Sequence, residues 1–129
     1  MDLGRPDLVV VSPGVPLRLS SIAQTREHGV PVWGELELAA RFLPAGVLVL
    51  GVPGTNGKST TTALLGALCQ AGGLDPFVGG NLGTPLSRAV LEPPRRAYVV
   101  ELSSFQLEGM ETARVHGAAV LNLTPDHLD

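Results

Sequence analysis

A buried strand that runs into a glycine-rich turn and then into a helix constrains this chain more than any other feature. The apolar residues 47–50 predict the strand, residues 51–57 form the turn, and residues 58–71 predict the helix. Glycines let successive backbone N–H groups point at one anion, and the positive end of the following helix faces the same anion. The stretch from Gly54 to Thr60 therefore predicts a phosphate-binding loop.

The residue types in this loop suit a nucleotide and its metal ion. Its residues are Gly54, Thr55, Asn56, Gly57, Lys58, Ser59 and Thr60. Lys58 adds a full positive charge, and the Ser59 hydroxyl can reach a Mg²⁺ ion bound to phosphate. The usual pattern has a further glycine five positions before Gly57, where this chain has Val52. The strand and helix around the loop still favour a phosphate site. The alternative is a glycine-rich turn with an incidental lysine.

Apolar runs alternate with helix-forming stretches along the chain. Strands are predicted at residues 8–11, 30–32, 47–50, 77–78, 97–101 and 117–123, and helices at 20–28, 35–43, 58–71 and 85–91. Strands that are apolar on both faces and alternate with helices predict an α/β fold with a parallel sheet and flanking helices. Ser20 or Ser21 is expected to cap the first helix, and Thr84 to cap the helix that begins at Pro85.

Composition argues against several classes of partner. The chain has 129 residues, 44% of them apolar, a net charge of −3 and one cysteine, Cys69. Charges of both signs are scattered, so no basic stripe is available for nucleic acid. A single cysteine favours a reducing compartment. Without a signal-peptide pattern or an apolar run near the ~20 residues that span a bilayer, we expect a cytoplasmic protein with no membrane partner.

Three further polar residues lie where an open α/β sheet binds its ligands, beyond the carboxyl ends of strands. Glu101 ends a predicted strand and either ligates Mg²⁺ or caps the next helix, because a bare buried carboxylate is costly. Asn81, in a glycine-rich turn, either shapes that turn or contacts a polar substrate. His127 either binds a metal or a phosphate, or is simply solvated.

Four blocks of sequence together resemble the Mur ligase family. They are Ser12–Gly14, Gly54–Thr61, Val78–Pro85, and the pair Glu101–Glu108 and Asn122–Asp129. Their order and spacing agree with the family over nearly the whole chain, and they are most similar to the members that add D-glutamate. The resemblance implies that residues 1–40 end a Rossmann-like domain that binds the UDP substrate. Residues 41–129 would begin a central ATP-binding domain like that of P-loop NTPases.

The family resemblance also implies an activity. It is the ATP-dependent addition of D-glutamate to UDP-N-acetylmuramoyl-L-alanine, through an acyl phosphate, in peptidoglycan synthesis. ATP and Mg²⁺ would be the cofactors, these two small molecules the partners, and the enzyme a monomer. The C-terminal amino-acid-binding domain would lie outside the chain, so we expect the segment alone to be inactive. The alternatives are another amide ligase of the superfamily, such as one adding glutamate to folate, and a phosphate-binding module without ligase chemistry.

The resemblance further implies a role for each matching residue. The loop from Gly54 to Thr60 would hold the ATP phosphates, with Lys58 on the β- and γ-phosphates, and Lys58, Glu101 and His127 would be catalytic. The metal ligands would be Ser59 and Glu101 for one Mg²⁺ ion and His127 for a second. The substrate contacts would be Ser12 and Gly14 on the UDP-sugar diphosphate, and Asn81, Ser103 and His127 on the muramoyl group.

Two departures from the family's pattern accompany these roles. Pro53 stands where the family usually has threonine or serine, which removes a hydroxyl but leaves the loop N–H groups in place. The family's carbamylated lysine, which helps to hold the second metal, would lie beyond Asp129. We therefore expect ATP binding to survive the first departure, and the second metal site to be completed outside these residues.

Overall fold

The computed structural model describes residues 4–125, in which short strands alternate with helices. The strands are β1 (Val9–Val11), β2 (Val32–Gly34), β3 (Leu48–Pro53), β4 (Pro76–Gly80), β5 (Ala97–Leu102) and β6 (Gly117–Ala118). The helices are α1 (Ser20–Glu27), α2 (Glu35–Ala40), α3 (Lys58–Ala71), α4 (Leu86–Ala89) and α5 (Ser104–Glu108). None of the helices within residues 4–125 has the length and apolar character needed to cross a membrane.

The strands form two parallel sheets. β1 pairs with β2, and the other strands form a four-stranded sheet in the order β4-β5-β3-β6. All residues of β5, an inner strand of the larger sheet, are buried. Burial on both faces favours apolar side chains, which explains the sequence of residues 97–100, and Glu101 is the charged exception. The predicted α/β class, with parallel sheets and flanking helices, is confirmed.

The core lies between the larger sheet and its helices. On one face, Leu36 of α2, Leu86 of α4 and Tyr98 of β5 belong to one buried cluster. Complete burial of an apolar side chain of this size contributes roughly 1.5–3 kcal/mol. Helix α3 packs on β4 and β5 through residues outside that cluster. Its Gly66 allows close approach, since a Cβ atom there would lie 2.4 Å from the Val78 Cγ2 atom.

The predicted helix caps are wrong. Leu19 occupies the N-cap position of α1 and no side chain caps that helix. Ser20 and Ser21 lie inside its first turn, because Leu19 is the last residue with an extended ψ of 135°. Helix α4 likewise begins at Leu86, with the extended residue Pro85 at its N-cap position instead of Thr84.

The bounds of α3 agree with the sequence prediction, whereas several other bounds differ. β2 lies two residues later than predicted, because its residues 32–34 pair with residues 9–11 of β1. Helix α2 ends at Ala40, and α5 is a short helix that the apolar pattern does not predict. Regular pairing of β6 with β3 stops at Ala118, although single hydrogen bonds to β3 continue as far as Leu121.

Helix α2 lies between the two sheets. It contacts β1 and β2, yet its Leu36 and Ala39 are part of the core of the larger sheet. Helix α2 thus has contacts with both sheets. The predicted domain boundary between residues 40 and 41 stays a prediction.

A buried carboxylate fastens α2 to the segment that follows α5. The Glu37 side chain is 0% exposed. It accepts hydrogen bonds from the backbone amides of Glu111, Thr112 and Ala113 at 2.9–3.1 Å, and from the Thr112 hydroxyl at 2.6 Å. The Arg41 Nε atom donates to the same carboxylate at 2.9 Å. A fully buried charge is tolerated here because all of these donors face it.

These hydrogen bonds set the acidity of Glu37. Burial raises the pKa of Glu37, but hydrogen bonds from the Thr112 hydroxyl and from three backbone amides outweigh burial and lower the pKa from 4.5 to about 2. The charged form is thus favoured in the folded state. Stabilisation by Glu37 is therefore complete above its unfolded pKa of 4.5 and is lost as the pH falls towards 2.

We expect Glu37→Gln to lower the free energy of unfolding at pH 7 by roughly 3 kcal/mol, because the amide NH₂ group would face backbone donors. Between about pH 5 and pH 2, the free energy of unfolding of the variant should fall much less than that of the wild-type protein. Equilibrium unfolding in urea across this pH range measures both effects.

Glu27→Gln is the matched control, since Glu27 is an exposed residue at the end of α1. It removes the same charge and should leave both the stability and its pH dependence close to the wild-type values. Equal effects of the two substitutions would show that the network around Glu37 contributes nothing specific.

Candidate functional site

The glycine loop joins β3 to α3 at the carboxyl edge of the larger sheet. Gly57 has a φ of 85° and occupies the N-cap position of α3, and Gly54 has a φ of 144°. Residues with a side chain rarely adopt these conformations, so the sharp turn from strand to helix requires glycine at both positions. A Cβ atom at Gly54 would also lie 3.2 Å from the Leu121 Cβ atom.

The backbone amides of the loop divide into two groups. Those of Thr55 and Asn56 donate to the Asn122 side chain at 3.0 and 2.9 Å. Within residues 4–125, no acceptor engages the amides of residues 57–60, which lie at the N-terminus of α3. The Lys58 ammonium donates to the Thr55 carbonyl at 3.2 Å and lies against the loop. Free amides beside an ammonium group, at the positive end of a helix, are a favourable environment for phosphate.

Glu101 is the penultimate residue of β5, the strand next to β3, and its Cα atom pairs with that of Val52. It is 2% exposed, and its Oε2 atom accepts a hydrogen bond from the Ser59 hydroxyl at 2.7 Å. Its Oε1 atom accepts one from Asn81 Nδ2 at 3.2 Å. No cationic side chain in the described residues forms an ion pair with it.

A carboxylate and a hydroxyl at this separation suit Mg²⁺. The described part of the chain contains no group of three His, Cys, Asp or Glu side chains that could hold a metal by themselves. Mg²⁺ usually takes one or two protein ligands and completes its shell with water and substrate phosphates. Glu101 and Ser59 are ligands of that kind, and the buried carboxylate lacks a cation among the described residues.

The alternative role for Glu101, as a cap on the next helix, is wrong. Ser103 occupies the N-cap position of α5 and forms a capping box with Gln106. The Ser103 hydroxyl accepts a hydrogen bond from the Gln106 amide at 3.2 Å and lies 3.1 Å from its Oε1 atom. Ser103 thus has a structural task, and its contact with the muramoyl group stays a prediction.

Asn81 lies beside Glu101 and has two contacts with it. Its backbone amide donates to the Glu101 carbonyl at 3.0 Å, in addition to the side-chain bond. Gly80 makes this approach possible, because a Cβ atom there would lie 2.4 Å from the Glu101 carbonyl oxygen. In this structure Asn81 therefore orients Glu101, and its contact with substrate stays a prediction.

Ser12 and Gly14 lie apart from this cluster, in the turn that follows β1. This turn forms one side of a cleft, and α5 and Gly109 form the opposite side. The family resemblance implies that both residues contact the UDP-sugar diphosphate, and this assignment stays a prediction. His127 lies outside the described residues.

Sequence reasoning missed the residue that contacts the loop most extensively, Asn122. It lies in one of the blocks that resemble the Mur ligases, without an assigned role. Its position after β6 was the available signal. The pairing of β6 with β3, which brings Asn122 to the loop, is a long-range contact that no local pattern shows.

Comparisons with known proteins show which family the chain resembles. The profile of the Mur ligase middle domain matches residues 52–129. The chain is 64% identical over 129 residues to the UDP-N-acetylmuramoylalanine–D-glutamate ligase of Anaeromyxobacter dehalogenans, covering 99% of this chain and 28% of that protein. It is 61% identical over 128 residues to the ligase of the same name from Myxococcus xanthus, covering 98% of this chain and 28% of that protein. The chain thus spans little more than a quarter of the length of these relatives.

A solved structure supports the fold. The crystal structure of UDP-N-acetylmuramate:L-alanyl-gamma-D-glutamyl-meso-diaminopimelate ligase from Neisseria meningitides superposes with a TM-score of 0.57 at 24% identity, covering 95% of this chain and 43% of that one. At this identity the likeness concerns the fold alone. The match to the Mur ligase middle domain extends over more than half of the residues of this chain. The chain therefore belongs to the Mur ligase family.

Proposed function

We propose that the chain is part of a cytoplasmic, ATP-dependent ligase that adds D-glutamate to UDP-N-acetylmuramoyl-L-alanine in peptidoglycan synthesis. The observation that carries the proposal is the 2.7 Å hydrogen bond from Ser59, beside the loop lysine, to the buried Glu101 carboxylate. The names of the two relatives described above supply the substrates, and the sequence blocks that resemble the D-glutamate-adding members support the same choice.

The loop would bind the phosphates of ATP. The amides of residues 57–60 and the Lys58 ammonium converge at the N-terminus of α3, so each can donate to a terminal phosphate oxygen. Ser59 and Glu101 would hold Mg²⁺, which supplies neutralising charge to the phosphates when bound. Asn81 would keep the Glu101 carboxylate oriented through its bond to Oε1.

The reaction would use these groups to bring two anions together. The substrate carboxylate attacks the γ-phosphorus atom of ATP, and the bond from that atom to the bridging oxygen breaks. ADP departs, and the substrate is left as an acyl phosphate. The amine of D-glutamate then attacks the acyl carbon, loses a proton, and inorganic phosphate departs. Lys58 and the loop amides would offset the repulsion between carboxylate and phosphate in the first step. Alignment of the reacting atoms contributes the remainder.

We expect Lys58→Ala in the full-length ligase to lower kcat/KM for ATP by roughly 100-fold or more, because the ammonium group that stabilises the transferring phosphate is lost. Arg88→Ala, which removes an exposed cation from α4, is the control and should leave kcat/KM unchanged. Phosphate release, followed at several ATP concentrations, measures the effect. Unchanged turnover after Lys58→Ala would contradict the assignment of the loop.

Glu101→Gln is expected to raise the Mg²⁺ concentration needed for half-maximal activity by roughly tenfold or more, because the amide keeps the shape but removes the anionic ligand. A Mg²⁺ titration of activity at saturating ATP measures this concentration. Glu27→Gln, which removes an exposed carboxylate at the end of α1, is the matched control. An identical Mg²⁺ dependence in Glu101→Gln and wild type would exclude Glu101 as a ligand.

The choice of amino acid separates this ligase from others of the superfamily. The full-length enzyme should form amide with D-glutamate, and at least tenfold more slowly with L-alanine, L-lysine or L-glutamate. Chromatographic detection of the product with each amino acid in turn measures the preference. A preference for another amino acid would refute the substrate while leaving the ligase chemistry intact. Hydrolysis of ATP that ignores every acceptor would indicate a phosphate-binding module without ligase activity.

A further inference from the structure

One polar side chain outside the assigned site organises the phosphate loop. We propose that Asn122 is a positioning residue, which holds the first half of the loop so that the nucleotide's terminal phosphates bind the amides of residues 57–60. The inference rests on the proposed function, because it concerns the same phosphate site.

The Asn122 side chain forms three hydrogen bonds with two consecutive residues of the loop. Its Oδ1 atom accepts from the amides of Thr55 and Asn56 at 3.0 and 2.9 Å. Its Nδ2 atom donates to the Asn56 carbonyl at 2.9 Å. A side-chain amide is suited to this pattern because it offers an acceptor and a donor side by side, without charge. Both peptide groups flanking Asn56 are thereby fixed in orientation.

Contacts around Asn122 hold the same loop from the same side. We call residues 121–124 the clasp segment. The Thr55 hydroxyl lies 3.4 Å from the Thr124 carbonyl oxygen and accepts from the Thr124 amide at 3.2 Å. The Leu121 side chain would be 3.2 Å from a Cβ atom at Gly54 and 3.5 Å from one at Gly57. The clasp segment therefore follows the loop along its length, and Asn122 supplies its side-chain bonds.

The division of the amides determines where a phosphate can bind. The amides of Thr55 and Asn56 already have an acceptor in Asn122, whereas those of residues 57–60 have none within the described residues. An anion therefore gains most by binding at the second group, next to Lys58 and the N-terminus of α3. The Thr55 amide also donates to the backbone carbonyl of Asn122 at 3.3 Å, so loss of the side chain would release mainly Asn56 and would weaken that alignment.

The neutrality of Asn122 is part of the inference. An aspartate there would keep an acceptor for Thr55 and Asn56, but would place a negative charge beside the phosphates and lose the donor to the Asn56 carbonyl. Because residue 122 is exposed, water competes for its hydrogen bonds. Any substitution of Asn122 should therefore affect nucleotide binding more than the stability of the fold.

The test measures MgATP binding by calorimetry, and steady-state KM values for all three substrates, in the full-length ligase. We expect Asn122→Ala to raise the dissociation constant and the KM for ATP by roughly ten- to hundredfold, the equivalent of two or three hydrogen bonds. The KM values for the two other substrates, and the melting temperature, should remain near those of the wild type. Asn122→Asp should weaken MgATP binding at least as much as Asn122→Ala does.

Leu123→Ala is the matched control, because Leu123 is the next residue of the clasp segment and its side chain is 85% exposed. It should bind MgATP as the wild type does. Unchanged MgATP affinity in Asn122→Ala would overturn the inference, as would a lowered melting temperature with equal effects on all three KM values. The proposed function fails separately, if the wild type does not bind MgATP or if Lys58→Ala binds it equally well.

Discussion

The parallel pairing of β3 with β5 is the contact on which the candidate site depends. Each strand ends in a different functional element, the glycine loop after β3 and the carboxylate of Glu101 on β5. Parallel strands end at the same edge of a sheet, and the pairing of Val52 with Glu101 brings both elements to the same level. The bond from Ser59 to Glu101 then follows from the direction in which α3 leaves the loop. A shift of one residue in this pairing would move the Glu101 side chain to the other face.

Two buried carboxylates show how differently the same group can be used. Glu37 is satisfied by backbone amides, a hydroxyl and an arginine, and these hydrogen bonds lower its pKa to about 2. It therefore serves the fold, joining α2 to the segment after α5. Glu101 has two neutral donors, Ser59 and Asn81, and no ion pair among the described residues. A buried carboxylate with so little compensation is typical of a site that binds a cation.

The local features of the sequence were predicted well. The apolar runs indicated most strands, the bounds of α3 were correct, and the α/β class followed from the alternation of strands and helices. Glycine spacing indicated the sharp turn from β3 into α3, because the backbone conformations of Gly54 and Gly57 are a local requirement. The helix caps were predicted less well. Ser20 and Thr84 have suitable side chains, but the chain direction before each helix places Leu19 and Pro85 at the caps.

By itself, the sequence determined the elements, the loop and the residue types available for phosphate and Mg²⁺, since these depend on neighbours within a few positions. Only the tertiary structure decided which of them meet. Asn122 reaches Asn56 across 66 positions of the chain, and Glu37 reaches Thr112 across 75. Both contacts depend on strand order and helix packing, which result from burial of apolar surface over the whole domain and leave no local pattern. The same packing decided that Asn81 orients Glu101.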